Sequence, residues 1–344
     1  MRTPFILGAL LAGFAASAFL ASPATAQGTS SSTPVIGYYK FNTPNGPSLW
    51  TSGFVTRKEF QGQATSVTPG ASSTINQTGA GWTAGAFNLH YVEILDGLQA
   101  GLVLDILGNS ATSLTVDGEA GPAGFNLAQT VKYAVRKHST LGSIFKGGAG
   151  GLSPFEDSIT LFYDDGSKKS FYYDDTAPGQ IVADDLATNK DNEIVYPGQG
   201  MLLNTLGTRQ LTFGGNDVSY VKESPTKVPL YGGKINLAGL VNPVVAATPL
   251  GAVAANEATP VNAPAYGLVD SGLVEFEDEI AHFGLNPQGN FARLGLYYYD
   301  QAADTIVDAT TFAPVTAPIA NGTALLLKPS GNRYFTQPGV VVGN

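Results

Sequence analysis

The chain has 344 residues, with 18 Lys and Arg against 27 Asp and Glu, a formal net charge of −9, and 43% hydrophobic residues. Charged residues are 13%, about half the usual ~25%, which excludes intrinsic disorder, a state of low hydrophobicity and high charge, and a nucleic-acid-binding face, which needs clustered cations. There is no Cys, which excludes disulfides, thiolate metal sites and cysteine nucleophiles.

The N-terminus begins with Arg2, continues with an apolar stretch over 5–20, and reaches Ala24-Thr25-Ala26 before Gln27. This order predicts a secretory signal peptide over 1–26, with Gln27 as the mature N-terminus. Gly8, Gly13 and Ser17 interrupt the apolar stretch, which falls short of the ~20 residues a membrane span needs. The expected location is therefore outside the cytoplasm: extracellular, cell surface or periplasm. No later stretch is long and apolar enough for a transmembrane helix.

Most of the remaining chain is short apolar stretches punctuated by Gly, Pro, Asn and Asp. Tyr91-Val-Glu-Ile-Leu, Gly101-Leu-Val-Leu-Asp-Ile-Leu and Ser113-Leu-Thr-Val are separated by Asp96-Gly97 and Gly108-Asn109. They predict a three-stranded meander. Ile159-Thr-Leu-Phe-Tyr and Lys169-Ser-Phe-Tyr-Tyr, around Asp164-Asp165-Gly166, predict a hairpin. Gly200-Met-Leu-Leu-Asn and Arg209-Gln-Leu-Thr-Phe predict another. Residues 237–255 are apolar, but Gly239, Pro243, Pro249 and Gly251 favour loop and strand over helix. Short helical turns are expected near 139–145 and 183–186. The predicted class is all-β.

The C-terminal half echoes the middle. Phe155-Glu156-Asp157-Ser158-Ile159 recurs as Phe276-Glu277-Asp278-Glu279-Ile280. Phe171-Tyr172-Tyr173-Asp174 recurs as Tyr297-Tyr298-Tyr299-Asp300, and Ile181-Val182 as Ile306-Val307. Gly200 to Leu203 matches Gly322 to Leu325, and Phe213 matches Phe335. Weaker echoes pair Tyr38-Tyr39-Lys40 with Tyr220-Val221-Lys222, and Leu49-Trp50 with Leu230-Tyr231. A period above 100 residues indicates a duplicated domain, since solenoids and propellers repeat every 20 to 50. The expected architecture is a duplicated antiparallel β-sandwich or barrel-like unit. The first copy spans 27–216 and carries an inserted small β-meander module at about 88–148. The second, shorter copy spans 217–344.

Pro34-Val35-Ile36-Gly37-Tyr38, Lys137-His138-Ser139-Thr140-Leu141-Gly142, Tyr196-Pro197-Gly198-Gln199-Gly200 and the stretch from Tyr91 to Val116 follow the leader. With these features the chain resembles a paralogous family of secreted verrucomicrobial proteins without an assigned activity. The resemblance implies an exported β-rich protein and transfers no site residues.

Catalytic motifs are missing. His90, His138 and His282 lie outside any nucleophile context, and no H-x-x-H or HExxH spacing exists for zinc. Lys146-Gly-Gly-Ala-Gly-Gly151 lacks the ending of a phosphate loop and reads as a linker. No catalytic or cofactor-binding residue is therefore assigned. The carboxylates are more informative. Glu156-Asp157 and Glu277-Asp278 form the same pair in both halves. Asp164-Asp165, Asp174-Asp175, Asp184-Asp185 and Asp191-Asn192-Glu193 crowd the first. Turn chemistry, Ca²⁺ coordination by oxygen ligands, for which Asn189-x-Asp191-x-Glu193 has alternate spacing, and glycoside hydrolysis by an acid pair all remain open. No cofactor is expected other than Ca²⁺ on these acids, and no metal ligand set is assigned.

Among the aromatics, Tyr38-Tyr39, Trp50, Trp82, Tyr172-Tyr173 and Tyr297-Tyr298-Tyr299 would alternate between core and surface. The leading expectation is an exported, non-enzymatic β-protein with a structural or adhesive role, its partners a surface glycan or other surface proteins and no nucleic acid. One alternative is a carbohydrate-binding or carbohydrate-cleaving protein, marked by a groove with aromatics on its floor and opposed carboxylates. The other is an outer-membrane β-barrel.

Overall fold

The computed structural model describes residues 37–51, 55–118, 130–145, 151–176, 179–215, 218–219, 224–239, 258–260, 273–315, 318–320 and 323–337. The expected signal peptide, its cleavage site and most of the Gly-rich linker lie outside them. The described residues are almost wholly antiparallel β-structure.

Strands β1 (Gly37–Thr43), β2 (Gly46–Thr51) and β3 (Val55–Thr56) lead into a seven-stranded sheet. Its members are β4 (Lys58–Gln63), β5 (Ser66–Thr68), β6 (Ser72–Asn76), β7 (His90–Ile94), β8 (Val103–Asn109), β9 (Ser113–Asp117) and β10 (Lys132–Lys137). They pair in the order β4-β10-β7-β8-β9-β6-β5. The two edge strands, β4 and β5, follow each other directly in the chain, so the sheet curls back on itself. Ala64 N–H donates to the Val131 carbonyl and Thr65 N–H to that of Asn76 across the junction. Inside the curl, Ile75, Val92, Leu104, Leu114, Val116 and Val135 form a packed core. They alternate with half-buried Thr74, Asp105 and Thr115, so the apolar face points inward. A lipid-facing barrel has the reverse pattern.

The expected meander is β7-β8-β9. The sheet, however, begins at Lys58, well before the expected start near 88. The reason is weak patterning. Strands β4 to β6 carry only Phe60, Val67 and Ile75 as large apolar residues, and their remaining positions are polar or Gly.

Strand β11 (Ser139–Thr140) precedes the short helix α1 (Leu141–Phe145). Thr140 and Ser143 cap its start reciprocally: each side-chain oxygen accepts the other's backbone N–H. Then come β12 (Ser158–Phe162), β13 (Lys168–Asp174), β14 (Gln180–Ala183), β15 (Ile194–Val195), β16 (Gly200–Thr205), β17 (Arg209–Gly215) and β18 (Val218–Ser219). A five-stranded sheet runs β14-β13-β12-β16-β2. The hairpin expected from 159–173 is β12-β13. The hairpin expected from β16 and β17 does not form, because β17 pairs with β1. At the corner between them, Gly207 has φ 101°, and its N–H donates to Asn45 Oδ1. The expected turn at 183–186 is a non-helical turn after β14.

The second half holds β19 (Thr226–Leu230), β20 (Asn236–Gly239), β21 (Ala258–Pro260), β22 (Glu279–Leu285), β23 (Phe291–Asp300), β24 (Thr305–Asp308), β25 (Pro318–Ala320), β26 (Ala324–Lys328) and β27 (Arg333–Gln337). Its five-stranded sheet runs β24-β23-β22-β26-β20, and β27 pairs with β19. Strand for strand, this is the order of the first sheet. Ile159 faces Phe171 and Leu203, and Ile280 faces Tyr297 and Leu327.

These registers line the two sheets up differently from two of the sequence matches. By register Leu203 and Leu327 hold the same place in their sheets, whereas the sequence match sets Leu203 on Leu325; a slip of two residues keeps every side chain on its own face and is invisible to a pattern match. Thr43 faces Arg209 as Leu230 faces Arg333, and Trp50 faces Met201 as Ala238 faces Leu325. By register Trp50 and Ala238 hold the same place in their sheets, whereas the sequence match sets Trp50 on Tyr231.

Each five-stranded sheet is apolar on both faces. One face of the first packs Ile159, Phe171, Met201 and Leu203 against Leu141 and Phe145 of α1. One face of the second packs Ile280, Tyr297, Leu325 and Leu327 against Phe335. The other faces meet, with Leu49, Leu202 and Phe162 opposite Leu237, Leu326 and Phe283. At this crossing the backbones come close. A Cβ on Gly239 would stand 2.3 Å from Thr51 Cβ, and one on Gly200 2.6 Å from Ala324 Cβ. Gly239→Ala should cost on the order of 1–3 kcal/mol through overpacking. Gly108→Ala, whose Cβ would enter open space, should not destabilise. Thermal melts of the two variants decide the point: equal melting would mean that the sheets separate easily.

Candidate functional site: a tyrosine-lined acidic cleft

A cavity of about 750 Å³ lies where the curled sheet, the loops of the first five-stranded sheet and the β19–β20 segment converge. Strand β8 contributes Asp105 and the end of β9 contributes Asp117. The β12–β13 turn adds Tyr163 and Asp164. The segment around β15 adds Glu193 and Tyr196, the β19–β20 segment Lys227 and Tyr231, and β27 Tyr334. Four phenol rings and four carboxylates thus share one concave surface with one ammonium.

Two of the tyrosines are locked by their hydroxyls. Tyr163 donates to Glu193 Oε1 at 2.7 Å and Tyr196 to Asp105 Oδ2 at 2.7 Å. Burial, reinforced by the neighbouring carboxylate, pushes both phenols well above their ordinary pKa. Burial also raises Tyr231, and it brings Tyr334 up to about 12. All four rings are therefore neutral donors at physiological pH.

Asp105 is the most constrained acid. Burial alone would raise its pKa, but its contacts with His138 and the Tyr196 hydroxyl prevail and hold it below the usual carboxylate range. His138 Nε2 lies 3.0 Å from Asp105 Oδ1. The buried imidazole packs beside Tyr91 and Tyr196, with ring centroids 4.8 and 5.4 Å away. His138 thus fixes Asp105, which fixes Tyr196. A glycoside hydrolase needs a carboxylic acid kept protonated near neutrality. Asp105 is shifted the opposite way, and its oxygens are already engaged.

Lys227 reaches across the rim. Its ammonium donates to the Leu98 carbonyl at 2.7 Å, and burial lowers its pKa.

No protein-family model, curated protein or solved structure matches the chain. The site is therefore described by its own chemistry.

The other sequence-predicted residues lie elsewhere. His90 contacts Glu59 Oε2 at 2.9 Å and the Asn88 carbonyl at 2.6 Å. His282 is buried in β22, and burial lowers its pKa. Trp50 and Tyr297 are core residues. Trp82 packs on the curled sheet's core and Tyr173 on that of the first five-stranded sheet. Tyr38 and Tyr39 sit in β1, with side chains outside the described residues.

Most of the clustered acids close turns. Asp165 Oδ1 accepts the Ser167 N–H, Asp174 Oδ1 that of Thr176, and Asp185 Oδ1 those of Ala187 and Thr188. In the 189–193 set, Asn189 Oδ1 accepts the Asp191 N–H and Asp191 Oδ1 that of Ile181, while Glu193 accepts from Tyr163. Among the described residues, no group of three His, Cys, Asp or Glu is arranged to hold a metal ion.

In the repeated pairs, Glu156 and Glu277 are exposed, whereas Asp157 and Asp278 are buried. Sequence reasoning passed over the cleft tyrosines. Tyr163, Tyr196 and Tyr231 each follow a strand end and Tyr334 lies at the start of β27, so they are scattered along the chain and no local motif marks them.

Proposed function

We propose that this is an exported, non-enzymatic β-protein with an adhesive role at the cell surface or in the periplasm, and that it holds a saccharide in the tyrosine-lined cleft. The observation that carries this reading is the convergence of Tyr163, Tyr196, Tyr231 and Tyr334 with four carboxylates in one cavity. Phenol faces supply stacking area for sugar rings, and fixed carboxylates accept sugar hydroxyl protons. The cavity volume falls within the range of small-molecule sites, about 300–1,000 Å³. The leader-like pattern over 1–26 supports export. The matching strand orders and registers of the two five-stranded sheets support descent from one duplicated β-unit.

Calorimetric titration of the mature protein with a panel of short oligosaccharides tests the function. At least one should bind without release of reducing ends. Tyr231→Ala should weaken that ligand about tenfold, the effect of losing ~1.4 kcal/mol, while leaving the melting curve in place. Saccharide turnover, or undiminished binding by the variant, would refute the reading.

A further inference from the structure

We infer that the saccharide taken by this cleft is amine-bearing: a short oligosaccharide with free ammonium groups, in preference to neutral or acidic glycans. The inference rests on the saccharide reading above and narrows it by the polarity of the cavity wall. Tyr163 and Tyr196 direct their hydroxyl protons to Glu193 and Asp105, so neither offers a hydroxyl proton to a ligand, and the Tyr163 ring already has the Lys169 ammonium 4.6 Å from its centroid. Lys227, the one ammonium on the wall among the described residues, donates to the Leu98 carbonyl. Against it stand Asp105, Asp117 and Asp164, while Glu193 is paired with Lys190 at 3.5 Å.

The wall is thus rich in acceptors and negative in sum. An acidic glycan would meet like charge in a concave, partly desolvated site, where such repulsion is strongest. A neutral glycan would gain stacking and hydroxyl–carboxylate bonds. A glycan carrying ammonium groups would add charge-assisted bonds to carboxylates and cation–π attraction to the phenol faces. Asp164 is exposed at the β12–β13 turn and Asp117 half-buried at the end of β9. Asp164 Oδ1 accepts the Asp165 N–H, and neither acid belongs to the Tyr163–Glu193 or Tyr196–Asp105 pair.

The experiment titrates the mature protein with three trisaccharides at pH 6.5: glucosamine, its fully N-acetylated counterpart, and galacturonic acid. The glucosamine trimer should bind at least tenfold more tightly than the N-acetylated trimer, and the galacturonate trimer should not bind. Raising salt from 0.05 to 0.5 M should erode most of that difference, because screening acts on the charged ligand alone. The double variant Asp117→Asn/Asp164→Asn should weaken the glucosamine trimer about tenfold and leave the N-acetylated trimer within twofold.

Equal or tighter binding of the N-acetylated trimer would overturn the amine preference and leave the saccharide reading standing. So would tight binding of the galacturonate trimer. If none of the three binds, nor any member of the wider panel, both readings fall. A double variant that unfolds is replaced by the salt titration of wild type, which separates a charge-selecting cleft from a neutral one.

Discussion

Arg136→Met is expected to destabilise the protein by about 3–5 kcal/mol, and the Glu93→Leu/Arg136→Met double variant to recover most of that loss. Arg136 and Glu93 are fully buried neighbours on β10 and β7. The Arg136 Nε donates to Glu93 Oε2 at 2.5 Å, and its Nη1 donates to the Thr56 carbonyl. Ser224 donates its hydroxyl proton to Glu93 Oε1. The pair thus ties the curled sheet to β3 and to the segment that leads into β19. Removing the guanidinium alone leaves a carboxylate in an apolar interior without its cation, which is the costly state. Removing both charges spares the desolvation of each, so an apolar pair of similar volume can approach wild-type stability. Urea unfolding of the two single variants and the double variant measures the cycle. If the double variant is less stable than either single variant, the ion pair contributes more than its own desolvation cost and the expectation is wrong.

Legibility in the sequence tracked the range of the interaction. Strands β7, β8 and β9 were readable because Asp96-Gly97 and Gly108-Asn109 set their turns locally, and period-two alternation marked their apolar face. The β1–β17 and β19–β27 pairings were not readable. Each joins chain segments far apart, and no local signal records which remote strand will supply hydrogen bonds. Local signals alone therefore pair β17 with its neighbour β16. The cleft was hidden for the same reason. Tyr163 and Tyr196 belong to the first half, while Tyr231 and Tyr334 flank the second, and only the fold brings them within one cavity. Trp50 and Tyr297 were the more conspicuous aromatics, yet they fill cores, because a large ring on the inward face of a strand buries most apolar area there. The repeated acids were legible as a pair but not in their division of labour. Adjacent residues leave the chain in different directions, so one side chain turns to solvent and the other into the protein.

That division leads to the second large expected effect. Asp157→Ala and Asp278→Ala should each cost about 3–5 kcal/mol, whereas Glu156→Ala and Glu277→Ala should stay within about 0.5 kcal/mol. Asp157 is fully buried. Its Oδ2 accepts the Ser153 N–H at 2.7 Å and Arg209 Nε at 2.9 Å, and its Oδ1 accepts the Leu206 N–H at 2.7 Å. One carboxylate therefore fixes the turn before β12 and the corner between β16 and β17. Asp278 repeats the arrangement. Its Oδ2 accepts the Val274 N–H and lies 2.9 Å from Arg333 Nη1, while its Oδ1 accepts the Ser330 N–H. Both turns also hold a phenylalanine in the left-handed region, Phe155 at φ 55° and Phe276 at φ 53°. A bulky residue adopts that conformation only where its surroundings enforce it, at a cost of order 1–3 kcal/mol. Alanine at position 157 or 278 would remove the acceptor of two part-buried backbone donors and the counter-charge of a partly exposed guanidinium, and it would release the strained turn. Asparagine keeps one acceptor oxygen, so Asp157→Asn should lie between alanine and wild type. In a protein of this size each kcal/mol shifts the midpoint by roughly 2–4 °C, so the alanine variants should melt on the order of 6–20 °C early. Alanine variants that melt within about 1 °C of wild type would mean that the two carboxylates do not hold these corners together.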